Sequence, residues 1–130
     1  MGEAKPEAKN LNIVDGPLRR HKLAVLRDER TPPPEFRQAM KELALIMVAE
    51  ATGIMPTRPV QIRTPLTRTE VEEISGPVCL VPVLRAGLGM LDGALALLPT
   101  ATVGFMGLQR DEETAQPIEY YVNLPRNIDE

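Results

Sequence analysis

Two arginines, Arg85 and Arg110, carry the clearest chemical signal in this 130-residue chain. Arg85 stands at the entrance of a glycine-rich segment, "VPVLRAGLGMLDG" (81–93), and Arg110 lies in "LQRDEE". A guanidinium is a permanent cation whose planar fork of donors matches the oxygens of a phosphate. Gly87 and Gly89 remove side chains, so that backbone N–H groups can approach an anion, and the N-terminus of a following helix adds favourable partial charge. Arg85 follows the apolar run "PVCLVPV" and Arg110 follows "ATVGFMGL". If both runs are parallel strands, both guanidinium groups fall beyond the carboxyl ends, where open parallel sheets bind ligands. A diphosphate is the natural guest. Each part also has a plainer reading: the glycines could serve only a tight turn, and a single arginine is by default an exposed loop residue. Asp92 is expected in the first turn of the helix, where the helix dipole alone favours an acid. The paired placement of the arginines favours the anion site.

The elements that must position them follow from the pattern. "PVCLVPV" is a continuous valine-rich run, expected to be one strand covered on both faces. "GMLDGALALLP" has helical composition, and "ATVGFMGL" is a second apolar strand. Strand, helix and strand at this spacing define a βαβ unit with parallel strands, hence an α/β fold. "QRDEETAQP" is a charged turn, and "IEYYVNLP" alternates as a further, partly exposed strand. A dinucleotide-binding turn is the rival. Its fingerprint is G-x-G-x-x-G, whereas Gly87, Gly89 and Gly93 are spaced G-x-G-x-x-x-G. Asp111, at a tempting distance for a ribose contact, follows Arg110 in a charged loop, and Arg85 crowds the turn. The rival fails on both counts.

Upstream, residues 1–15 read as a disordered tail rich in Ala, Glu, Lys and Pro. Pro17 suits the first position of an amphipathic helix, "LRRHKLAVLRDE". Its cluster Arg19, Arg20, His21 and Lys22 reads as a solvated face, since Asp28 and Glu29 follow directly. A second helix is expected to be capped by Thr31, to tolerate prolines in its first turn and to end at Gly53. Phe36, Met40, Leu43 and Met47 recur at helical spacing. Leu45, Ile46 and Val48 widen the apolar face nearly all round, which predicts burial on more than one side. "PVQIRTPL" alternates as a half-buried strand, and "TRTEVEEISG" is a polar connector that could form a strand and turn or a short helix.

Composition excludes several classes. The net charge is −3 and the pI about 5.3, which argues against bulk nucleic-acid or anionic-membrane binding. Trp is absent and aromatics make up 3% of the chain, so a base-stacking platform is unsupported. The longest apolar runs fall far short of the roughly 18 residues of a membrane helix. The polar N-terminus lacks the apolar core of a secretory signal. The lone Cys79 can form neither an internal disulfide nor a metal cluster and is expected to be a buried strand residue. His21 has no ligand-spaced partner. These features predict a soluble, cytoplasmic protein.

The segment "VPVLRAGLGMLDG" resembles the diphosphate loop of the uracil phosphoribosyltransferases, and the resemblance is highly specific at LRAGLGM. It continues in collinear order through "GPLRRHKLAVLRDERTPPPEFRQAMKELALIMVAEAT", "TPL", "GLQRDEETAQPIEYYVNLP" and "NIDE". Gly16, Ala49 and Gln109 depart from the family's usual histidine, tyrosine and tyrosine, which affects packing more than charge. The resemblance implies a type I phosphoribosyltransferase-like parallel sheet with flanking helices. The implied reaction is uracil plus phosphoribosyl pyrophosphate giving UMP and pyrophosphate. It assigns the donor's diphosphate to Arg85, Arg110, Ala86 and Gly87, with Mg²⁺ carried on the diphosphate. In some members GTP is an activator. A homo-oligomer is expected on other grounds, because the apolar faces of "PVCLVPV" and "ATVGFMGL" and the apolar second helix lack cover in this chain.

The family's chain continues after "NIDE" with the loop that cradles the ribose 5′-phosphate and the segment that reads uracil, and neither has a counterpart here. Residues 16–130 are therefore expected to form the N-terminal part of such a domain, truncated and inactive alone. No residue in the sequence resembles a general base for uracil. The alternative function is a non-catalytic module, with "EFRQAMKELALIMVAEA" as a dimerisation helix beside a pyrophosphate-binding turn.

Overall fold

A computed structural model describes residues 11–126. The expected tail over residues 1–10 and the "NIDE" segment (127–130) lie outside the described residues, and residues 11–15 have no regular structure. Helix α1 spans Pro17–Arg27, with Pro17 at its first position as its fixed φ favours. Helix α2 spans Pro33–Ala51. Its start differs from expectation, because Pro32 and not Thr31 occupies the cap position, without a side-chain cap bond. The Thr31 hydroxyl instead donates to the Val25 carbonyl at 2.7 Å, which ties the link between the helices back to α1. Its end differs too. Gly53 does not stop the helix in a left-handed turn; it sits inside a 3-10 turn, Thr52–Ile54, that prolongs it.

The basic cluster on α1 is consumed by local ion pairs. Arg19 meets Glu50 at 3.3 Å, Arg20 meets Asp15 at 2.7 Å, and Lys22 pairs with Glu42. Arg19 and Lys22 thereby reach across to α2, so this face joins two helices and is not a polyanion patch.

Strands β1 (Thr57–Arg63) and β2 (Arg68–Ile74) form an antiparallel hairpin of their own, with Val60 opposite Val71. "TRTEVEEISG" is thus a strand. Cross-strand bonds Arg58–Glu73 and Gln61–Glu70, each 3.0 Å, lace its polar positions.

The βαβ unit is present, with one local difference. "PVCLVPV" is split into β3 (Cys79–Leu80) and β4 (Val83–Leu84), and the returning strand into β5 (Thr102–Val103) and β6 (Phe105–Arg110). Both pairs are parallel, β3 with β5 and β4 with β6. The ladder itself runs on, since the Thr102, Gly104 and Met106 amides donate in turn to the Val78, Leu80 and Pro82 carbonyls. Pro82 has no N–H to return, which removes one rung and interrupts the strand. Helix α3 (Leu88–Leu97) connects the two. It begins earlier than the sequence suggested, so Gly89 lies in its first turn and Asp92 falls beyond it. Strand β7 (Pro117–Asn123) pairs antiparallel with β6, giving the order β4-β6-β7 with β4 at an edge.

Helix α2 packs against both α1 and α3. Its contact with α3 is close because the facing residues are small. A β-carbon on Gly93 would fall 2.5 Å from the Lys41 carbonyl oxygen and 2.8 Å from the Ala44 β-carbon. The buried apolar side chains among the described residues are alanines: Ala39, Ala44 and Ala94. Phe36 and Met47, expected in a core, remain 40% and 42% exposed, and Val83 on edge strand β4 is 44% exposed. Cys79 lies on β3 as expected but is only half-buried.

Candidate functional site

The site grows from the end of β4. Arg85 is the first residue past Leu84, and Leu84 pairs with Gly107 in the middle of β6. Arg110 is the last residue of β6, three positions beyond Gly107. Both arginines therefore stand at the carboxyl edge of adjacent parallel strands. Arg110 was expected just past its strand. It belongs to the strand because β7 pairs with it, Arg110 opposite Pro117, and prolongs the ladder.

The turn 85–87 is built by close backbone approach. The Gly87 amide donates to the Val83 carbonyl at 2.8 Å, and a β-carbon on Gly87 would fall 2.7 Å from both the nitrogen and the oxygen of Val83. Only glycine fits there. The following amides are consumed as the helix winds up: Leu88 donates to the Arg85 carbonyl, Gly89 to that of Ala86 and Met90 to that of Gly87. The amides of both glycines, Gly87 and Gly89, are thus engaged within the turn. Among the described residues, the amides left without a backbone acceptor in this turn are those of Arg85 and Ala86. Gly87 serves the site by letting the chain fold back, and those two N–H groups are what the turn offers to a ligand.

Arg85, Ala86 and Gly87 line a cavity of about 1000 Å³. Its other walls include Leu80–Leu84 along the strand, Val48, Met90, Leu91 and Ala94 from the helices, and Leu108, Gln109 and Tyr120 from β6 and β7. Arg110 does not line that cavity. It borders a smaller recess with Ala115 and Pro117, and Leu108 and Gln109 form part of both walls. Three of the four expected residues thus share one cavity and the fourth stands next door. Both guanidinium groups are exposed, and neither is held in an ion pair among the described residues. Unpaired arginines at one edge form an anion-attracting face.

The loop after Arg110 is fixed differently. Asp111 Oδ1 accepts hydrogen bonds from the Thr114 amide at 2.7 Å, the Thr114 hydroxyl at 2.8 Å and the Glu113 amide at 3.1 Å. The bonds from Thr114, amide first, hold the Asp111 carboxyl below the usual carboxylate range. Asp111 Oδ1 is thereby engaged in organising its own turn. Tyr120 is the wall residue that sequence reasoning missed. The available signal was the pair "YY" in a chain with two tyrosines and two phenylalanines. Among the described residues no three His, Cys, Asp or Glu side chains gather as metal ligands.

An α/β sheet that presents an arginine-bearing turn at its carboxyl edge is the architecture of a phosphoribosyltransferase-like domain. A solved structure, the AQ2163 protein from Aquifex aeolicus, superimposes with a TM-score of 0.79 at 35% identity, over 86% of this chain and 54% of that one. A family model described as uracil phosphoribosyltransferase matches residues 13–130. The chain belongs to the uracil phosphoribosyltransferase family. Among proteins of that name, one from Symbiobacterium thermophilum is 45% identical over 119 residues, covering 91% of this chain and 57% of the relative. Another, from Desulfitobacterium hafniense, is 46% identical over 121 residues, covering 92% and 58%. The chain thus spans a little over half the length of the curated relatives it matches.

Proposed function

We propose that the chain contributes the diphosphate site of an enzyme that converts uracil and phosphoribosyl pyrophosphate to UMP and pyrophosphate. The observation that carries this reading is the turn 85–87. One guanidinium and two unconsumed amides stand together on the wall of a large cavity at the carboxyl edge, with Arg110 beside it. In the reaction the bond from the anomeric carbon to the diphosphate oxygen breaks as the bond to a uracil nitrogen forms, and the proton of that nitrogen is lost to water. Charge then accumulates on the departing diphosphate. Arg85 and the Arg85 and Ala86 amides stabilise that charge without reorganising, and Arg110 adds to the field. Any Mg²⁺ arrives bound to the donor. Cytoplasmic location rests on the composition and the polar N-terminus, self-association on the apolar second helix and uncovered strands, and activation by GTP on the family resemblance alone.

The test is calorimetric titration of phosphoribosyl pyrophosphate with Mg²⁺ into the 130-residue chain. We expect weak binding that Arg85→Ala removes, and no UMP formation by this polypeptide alone. A parent chain with no affinity for the donor sinks the diphosphate reading. A monomeric 130-residue protein that turns uracil into UMP contradicts the division of labour.

A further inference from the structure

Tyr120 is placed by two local irregularities that the fold itself does not need. Along β6 and β7, Gly107 pairs with Tyr121, but the next residue, Leu108, pairs with Glu119. Tyr120 is therefore the extra residue of a β-bulge. Bulges interrupt pairing and re-aim a side chain, and they concentrate beside active sites. The second irregularity is Gly107. A β-carbon there would fall 2.6 and 2.7 Å from two carbons of the Tyr120 ring, so the ring lies directly over Gly107 and any side chain there must displace it. The ring so placed lines the same cavity as Arg85, Ala86 and Gly87. Tyr120 remains 51% exposed, and its hydroxyl has no hydrogen-bond partner among the described residues. The neighbouring Tyr121 differs: its hydroxyl accepts a bond from the Asn123 amide at 3.3 Å, and it lies outside the cavity wall.

We propose that Tyr120 is a further substrate-binding residue, its ring closing one wall of the donor cavity and its hydroxyl donating a hydrogen bond to an oxygen of phosphoribosyl pyrophosphate. Gly107 is its positioning residue. This rests on the reading of the cavity as the donor site. It adds a role for the β6–β7 hairpin, whose bulge would otherwise be an unexplained break in pairing.

Because the chain has no tryptophan, tyrosine emission reports directly on the site. In a Tyr121→Phe variant the only tyrosine is Tyr120, and titration with phosphoribosyl pyrophosphate and Mg²⁺ should change its emission saturably. By calorimetry, Tyr120→Phe should weaken donor binding roughly 2- to 12-fold, the value of one neutral hydrogen bond, with the melting temperature unchanged. Tyr120→Ala should weaken it further. Gly107→Ala should match that loss while keeping every polar group, by pushing the ring aside. Parallel titration with pyrophosphate locates the bonded oxygen. A loss seen only with the full donor places it on the sugar, a loss with both places it on the diphosphate, and either supports the proposal. If Tyr120→Phe and Tyr120→Ala bind like the parent while Arg85→Ala does not, the cavity is the donor site and Tyr120 has no part in it. If the parent itself does not bind the donor, the diphosphate reading falls and this one with it.

Discussion

The two arginine-bearing turns at the sheet edge are built by opposite means. The turn 85–87 is held by absence: Gly87 has no side chain, so the chain folds back within hydrogen-bond reach of Val83. The turn after Arg110 is held by presence, through a carboxylate that gathers three donors from Glu113 and Thr114. The first is sensitive to volume and indifferent to pH. The second tolerates volume, since Glu112, Glu113 and Thr114 are exposed, but depends on the charge of Asp111. One edge can therefore carry a rigid ligand-facing turn and an adjustable neighbour.

The comparison breaks first at the arginines themselves. In an enzyme completed as proposed, Arg85→Ala should weaken the donor or its transition state by about 1.5–3 kcal/mol, the scale of a charged hydrogen bond. Arg110→Ala should do less, because Arg110 borders the neighbouring recess and not the main cavity. Equal losses in kcat/KM for the two variants would erase the distinction between the turns. Next in size is Gly87→Ala. Its β-carbon must displace backbone 2.7 Å away, and a destabilisation of about 1–3 kcal/mol is expected for such overpacking. Thermal unfolding of the variant measures it, and an unshifted Tm would mean the turn relaxes freely.

The smallest effect belongs to Asp111. Its folded-state pKa is depressed, so its stabilising contribution is present above the unfolded carboxylate value and is lost as pH falls through the folded one. Asp111→Asn should then differ slightly from the parent at neutral pH and match it in acid. A gap between the two melting curves that persists at low pH would show that the charge is irrelevant.

Much of this was legible in the sequence. The helix starting at Pro17, the βαβ unit and the edge position of both arginines follow from proline placement and apolar periodicity, which act locally. Other features depend on contacts across the chain. The interruption at Pro82 shows only when the returning strand asks for its missing amide. Gly89 read as a turn residue, yet α3 starts one residue before it and places it in the first turn. Tyr120 was invisible because the bulge that aims it is a property of two strands in register, and Gly107 explains itself only beneath the ring. Phe36 and Met47 carried the pattern of core residues, yet the interior between α2 and α3 is filled by Ala44, Gly93 and Ala94.

Strand β4 has a consequence for how the chain meets other chains. The carbonyls of Val78, Leu80 and Pro82 face β5 and β6, so by alternation Cys79, Val81 and Val83 turn their backbone groups outward. Such a row is a template for edge-to-edge growth. The Val83 carbonyl, however, already accepts the Gly87 amide. The turn that carries Arg85 also plugs the last acceptor of the edge left open among the described residues, and an invading strand must stop short of it.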